Sequence, residues 1–150
     1  MSDLVARIHA LTPVTAGRVL IAITTAQVRR GAAKDIAPDT ALTDALASAA
    51  GITPDAGATD EDVAKAGLLL LAADPATAEA VDGLVEHPPA EGFADPLTLG
   101  IGVAALVVLQ SYIKVERDKA GKWAFKFEKQ PMSDSLLKHL ISKLGGWLRG

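Results

Sequence analysis

The stretch LTLGIGVAALVVLQSYI, residues 97–113, decides how this chain folds. Residues 96–113 carry no charged side chain, and as one helix they would span about 27 Å, close to the thickness of the hydrocarbon layer of a membrane. The strongly apolar part, Leu97 to Leu109, is shorter, and a run of that length is more typical of a helix buried in a protein core. We therefore predict a central apolar helix that neighbouring helices cover, with membrane insertion as the alternative.

Features within the stretch favour the insertion alternative. Gly100 and Ala104 have the spacing that lets helices approach closely in lipid, and Tyr112 stands where interfacial aromatic side chains are common. Against insertion, the positive-inside rule would then require export of the first 95 or so residues. The N-terminus, MSDLVARIHA, lacks the basic start and apolar run of a secretion signal, and the chain has no cysteine. We therefore predict a cytoplasmic protein, with membrane association as the alternative.

The net charge changes sign at the end of the apolar stretch. Residues 1–113 contain six Lys/Arg and fourteen Asp/Glu, whereas residues 114–150 contain nine Lys/Arg and four Asp/Glu. We divide the chain into an acidic helical block (1–95), the apolar helix (96–113) and a basic module (114–150). This asymmetry indicates an acidic protein partner, an anionic membrane, or contact with the acidic half of the chain itself.

The acidic block is rich in alanine and the whole chain is poor in aromatic residues, which favours helix over sheet. Thr12 before Pro13, Thr59 before three acidic residues, and Asp74 before Pro75 are typical helix starts. Glycines 31 and 51 are typical helix stops. These signals predict five helices, at 3–11, 13–30, 36–51, 59–73 and 74–87.

A β-hairpin is predicted directly after the apolar stretch. Apolar and charged side chains alternate on both sides of an Asp-Lys-Ala-Gly turn at 118–121, which is typical of two antiparallel strands. One side of the hairpin would carry Ile113, Val115, Trp123, Phe125 and Phe127. The other side would carry Lys114, Glu116, Lys122, Lys126 and Glu128.

The sequence ends in an amphipathic helix, DSLLKHLISKLGGWLRG, which Ser133 or Asp134 can cap. Its leucines and isoleucine form one apolar stripe, which would pack on the hairpin or lie on an anionic membrane. Gly145-Gly146 predicts an early end, with WLRG as an apolar tag. The residues predicted to contact a partner or a membrane are Trp123, Phe125, Phe127, Leu136, Leu137, Lys138, Leu140, Ile141, Lys143, Leu144, Trp147 and Leu148.

The sequence holds no motif of an enzyme, a metal site or a cofactor site. The three histidines have no metal-ligand spacing, no serine lies in a G-x-S-x-G context, and Gly-Ile-Gly at 100–102 lacks the third glycine of a dinucleotide fingerprint. Acidic residues interleave with the basic and aromatic ones of the hairpin, which argues against a nucleic-acid partner. We therefore predict a protein without enzymatic activity, cofactor or metal.

The tail GKWAFKFEKQPMSDSLLKHLISKL, residues 121–144, resembles the C-terminal part of small uncharacterised bacterial proteins, in which a hairpin precedes SDSLLK and an amphipathic helix. The resemblance implies a role in bacterial signalling or defence. The fold class predicted is mainly α: an Ala-rich helical bundle, a central apolar helix, and a C-terminal hairpin plus amphipathic helix. The function predicted is protein–protein interaction, as an adaptor or regulator that binds another protein or its own copies. The alternative is a membrane-acting protein that inserts residues 97–113.

Overall fold

The computed structural model describes residues 2–34, 36, 39–54, 57–88, 100–127 and 134–149. These ranges form seven α-helices and one antiparallel hairpin, which confirms the predicted fold class. The elements in chain order are α1 (Ser2–Ala10), α2 (Pro13–Arg29), α3 (Thr40–Ala50), α4 (Asp60–Ala73), α5 (Pro75–Glu86), α6 (Ile101–Leu109), β1 (Ile113–Arg117), β2 (Trp123–Phe127) and α7 (Asp134–Arg149).

The helix ends follow the local signals of the sequence. Thr12 and Asp74 cap α2 and α5, and their side-chain oxygens accept hydrogen bonds from the N–H groups of the first turn. Thr59 and Asp62 form a reciprocal capping box at the start of α4. Gly51 ends α3 with φ +71°, a backbone conformation that side chains with a Cβ rarely adopt. The third helix begins at Thr40 rather than at Ile36, because Asp39 caps it.

The core lies between α2 and α4, and α6 packs against both of them. Gly67 of α4 lets the two helices approach, since a Cβ there would lie 3.1 Å from Leu20 Cδ1 and 3.3 Å from Leu20 Cδ2. Gly17 plays the same part between α2 and α6, since its Cβ would lie 3.1 Å from Ile101 Cδ1. Small residues therefore set how closely the three helices pack.

The central apolar helix is present but shorter than predicted. It is predicted over 96–113, whereas α6 covers only Ile101–Leu109, and residues 96–99 lie outside the described ranges. The helix ends because Ser111 and Tyr112 donate to carbonyls three residues back, which tightens the last turn, and Ile113 then starts β1. Every residue from Ala104 to Leu109 is buried, and side chains of the surrounding helices cover this segment.

In the described part of the chain, no single helix is both long and apolar enough to cross a membrane. The bent pair Asp3–Ala10 and Pro13–Arg29, with an angle of 119° between its helices, passes the same test of length and composition when the two are taken together. Insertion of residues 97–113 stays a prediction.

Tyr112 fixes the end of α6 to the end of α4. Its hydroxyl donates a hydrogen bond to Leu70 O at 3.1 Å, and the Thr77 hydroxyl donates to Leu71 O at 2.6 Å. Both acceptors lie in the last turn of α4, where carbonyls lack regular helical donors. The Tyr112 side chain is only 2% exposed, and burial, with a further contribution from the Asp74 carboxylate, raises the pKa of Tyr112 to about 12.

We expect Tyr112→Phe to lower the free energy of unfolding at pH 7 by about 1 kcal/mol, because the Leu70 carbonyl loses its donor. In the wild type the unfolded chain releases the phenol proton near pH 10.0, and the folded chain releases it only near pH 12. The stability that comes from the neutral phenol is therefore present below pH 10 and is lost as the pH rises from 10 to 12. Urea unfolding across this window should show a steeper loss in the wild type than in Tyr112→Phe. Equal slopes would contradict the burial of this phenol.

The hairpin forms as predicted over Ile113–Phe127, and Glu128 lies outside the described residues. Ile113 pairs with Phe127, Val115 with Phe125 and Arg117 with Trp123. In the turn, Asp118 N–H donates to Lys122 O at 2.9 Å and Asp118 Oδ1 accepts from Ala120 N–H and Lys122 N–H. Gly121 has φ +84°, which places it in the left-handed region that this turn requires.

The predicted partner of the C-terminal helix is wrong. Among the described residues, α7 packs chiefly on α3 and α4, with a smaller contact to α6, whereas strand β2 of the hairpin packs on α3. Burial of apolar surface favours this arrangement, because α3 and α4 share one core cluster with α7, to which they contribute Leu42, Leu46 and Val63.

The early helix end predicted at Gly145-Gly146 is also wrong, since α7 continues to Arg149. A Cβ on Gly145 would lie 2.7 Å from Pro54 Cβ, so this glycine allows α7 to touch the loop after α3. Ser142 Oγ donates to Thr53 O at 3.2 Å beside this contact. Residues of all three predicted segments thus contribute to one core cluster.

Candidate protein-interaction site

The contact residues predicted on α7 divide into buried and exposed groups. Leu137, Leu140, Ile141 and Leu144 are at most 3% exposed and belong to the core. Contact of these four with a partner or a membrane stays a prediction, and it would require α7 to leave the core. Lys138 is exposed, and the partly exposed members are Leu136, Lys143, Trp147 and Leu148.

The last turns of α7 contact the acidic start of α4. Trp147 Nε1 donates a hydrogen bond to the Asp60 carboxylate, and Lys143 Nζ lies 3.8 Å from Asp62 Oδ2. Both contacts are partly exposed, so the ion pair is worth at most about 1 kcal/mol. The two contacts nevertheless join the basic module to the acidic block of the same chain. Contact with the acidic half of the chain itself is one of the three explanations that the sequence offers for the charge asymmetry.

The aromatic side of the hairpin packs against the core and is only partly covered. Trp123 and Phe125 are half-buried, whereas the side chain of Phe127 lies outside what the structure describes. The Arg117 guanidinium carbon lies 4.5 Å from the centre of the Trp123 ring, which is the geometry of a cation–π contact. This pair fixes Arg117 against the sheet at the end of β1.

The outer edge of β1 offers backbone groups for pairing. Hydrogen-bonded and non-bonded residue pairs alternate in an antiparallel ladder. Because Asp118 bonds to Lys122, the bonded pairs of β1 are those of Glu116 and Lys114. The N–H and C=O groups of Ile113, Val115 and Arg117 therefore point away from β2. Within the described residues, no hydrogen bond joins these groups to another element.

An open cleft of about 230 Å³ lies beside this edge. The segment after α2 also lines the cleft, and the Gln110 side chain makes two hydrogen bonds with its backbone. Lys34 N–H donates to Gln110 Oε1 at 2.7 Å, and Gln110 Nε2 donates to Lys34 O at 2.7 Å. The residues that line the cleft are Ala32, Lys34, Gln110, Ile113, Lys114, Val115 and Glu116.

The charges beside the cleft are mainly positive. Lys114 Nζ lies 3.0 Å from Glu116 Oε1, with both side chains more than half exposed. The hydrogen bond and the charge of Lys114 lower the pKa of Glu116, and the charges of Lys34 and Lys126 add to this. The charges of three lysines thus act on one carboxylate, and the edge carries both signs of charge.

Sequence reasoning missed the cleft. Lys34 and Gln110 are 76 residues apart, and no spacing rule connects them. The available signal was Gln110 itself, the one side-chain amide in a run without charged residues. Among the described residues, no three histidine, aspartate or glutamate side chains come together in a way that could hold a metal ion.

In its described residues, the chain is a small helical protein with one hairpin, and the outer edge of strand β1 is open. No protein-family model, no curated protein and no solved structure matches the chain.

Proposed function

We propose that this protein is a non-enzymatic protein–protein interaction module, an adaptor or regulator, that binds an extended chain segment along the outer edge of β1. One observation supports the proposal most directly: the backbone groups of Val115 face an open cleft and bond to no other element in the described part of the chain. Addition of a strand to an exposed edge is a recurrent mode of recognition, in which main-chain bonds supply affinity and flanking side chains supply specificity.

The surroundings of the edge favour this use. The Lys34 backbone is held by two hydrogen bonds to Gln110, so the wall of the cleft is ordered before a segment arrives, and preorganisation lowers the cost of binding. The nearby lysines favour a segment that carries at least one carboxylate.

A photo-crosslinking experiment in the native cell tests the proposal. A benzophenone amino acid replaces Lys34, which lines the cleft, and in a control chain it replaces Val14, which is 61% exposed on α2. We expect a discrete protein adduct from position 34 and none of the same mass from position 14. The adduct should disappear in Val115→Pro, which removes an outward N–H while the hairpin ladder keeps its own bonds. An adduct that persists in Val115→Pro, or no adduct from position 34, would contradict the proposal.

A further inference from the structure

We infer that the segment bound at this edge is β1 of a second copy of the chain, so that two hairpins join into one four-stranded sheet. The inference rests on the proposed function, because it takes the outer edge of β1 as the binding site. Its evidence is the order of charges along β1, in which Lys114 and Glu116 lie on the same side of the strand with Val115 between them.

The outward backbone groups restrict how two copies of β1 can pair. Ladder bonds between the copies can only join Ile113, Val115 and Arg117, whose N–H and C=O groups face outward. Antiparallel pairing about a two-fold axis at Val115 bonds Val115 to its own copy and Ile113 to Arg117 of the other chain. All five residues of β1 then take part, which no shifted register achieves.

The same register places opposite charges across the new interface. Lys114 of each copy stands opposite Glu116 of the other, on the solvent side of the sheet. Opposite charges in directly facing positions stabilise strand pairing, and like charges destabilise it. A two-fold axis at Lys114 would place two lysines opposite each other, and one at Glu116 would place two carboxylates opposite each other. The charge order therefore selects the register at Val115 and disfavours its neighbours.

Pairing also covers an apolar side chain that the single chain leaves half-exposed. Val115 is partly buried against its own core, and in the pair its copy lies beside it on the same side. The open cleft lies next to Ile113 and Val115, so this part of the edge faces open space. The two copies thus complete each other with the same five residues, which is the self-complementary arrangement of a two-fold dimer.

Charge exchange with sedimentation equilibrium tests the register. We expect the wild type to reach twice the 15.5 kDa mass of the chain as its concentration rises. Lys114→Glu and Glu116→Lys should each weaken the dimer by about tenfold, because each creates two pairs of like charges across the interface. The double variant, with Lys114→Glu and Glu116→Lys combined, restores opposite charges and should dimerise as the wild type does. Glu79→Lys is the control, since Glu79 is an exposed residue of α5, which packs on α1, α2 and α4.

Circular dichroism should show that each variant keeps its helices. Val115→Pro should also give a folded monomer, because the bonds between β1 and β2 are kept and the outward N–H that pairing needs is lost. A wild type that stays monomeric up to its solubility limit would overturn the inference, as would a dimer that neither single exchange weakens. The proposed function is tested separately. A monomeric wild type, together with an adduct from position 34 to a different protein, would keep the edge as a binding site and exclude self-pairing. If the wild type stays monomeric and position 34 gives no adduct, both the inference and the proposed function are contradicted.

Discussion

Leu140→Lys is expected to unfold the protein or to lower its free energy of unfolding by about 3–5 kcal/mol, since it leaves an uncompensated charge inside the core. Leu140 is fully buried in the middle of α7, where that helix packs on α3 and α4. The measurement is urea unfolding followed by circular dichroism, with purification in the absence of detergent.

His139→Lys is the matched control for this substitution. It adds a charge at the neighbouring position of the same helix, but the side chain there is exposed, so we expect a change within about 0.5 kcal/mol. A Leu140→Lys protein that keeps the stability of the wild type would show that the stripe of α7 is an open face for a partner or for lipid, and that the packing described here does not hold in solution.

Gly67→Leu is the second substitution with a large expected effect. A Cβ at this position already lies 3.1 Å from Leu20 Cδ1, and three further carbon atoms would enter the contact between α2 and α4. Overpacking of this kind costs about 1–3 kcal/mol or more. Thermal and urea unfolding should both show the loss.

Two comparisons make this prediction specific to the contact. Gly83→Leu places the same side chain on α5, where nothing lies within 4 Å of the added Cβ, and it should be neutral or stabilising by up to about 1 kcal/mol, because leucine favours helix over glycine. Leu20→Ala makes space opposite position 67, so the double variant Leu20→Ala with Gly67→Leu should lose less stability than the sum of the single losses. Additive losses would mean that the two side chains do not meet.

The parts of the fold that depend on neighbouring residues were predictable from the sequence. The caps at Thr12, Thr59 and Asp74 are local hydrogen bonds, and the hairpin follows from alternation around one turn. Each of these signals lies within one short stretch of sequence, so it can be recognised without knowledge of the rest of the fold.

The parts that depend on distant residues were not predictable. Gly145 resembles a helix stop, and only the position of Pro54 across the contact explains why α7 continues through it. Helix α6 ends at Leu109, before the apolar run does. The Tyr112 hydroxyl bonds to a carbonyl in the last turn of α4, and Ile113 starts β1. The cleft likewise requires the bond between Lys34 and Gln110, which no periodicity indicates.

The helices of the protein itself cover α6 in this structure. Amide hydrogen exchange of residues 101–109, in protein purified without detergent, is a direct test of this packing. We expect these amides to exchange only through global unfolding, with protection equal to that of the slowest amides in α2 and α4. Fast exchange of α6 in buffer, with protection that appears only when lipid vesicles are added, would contradict it.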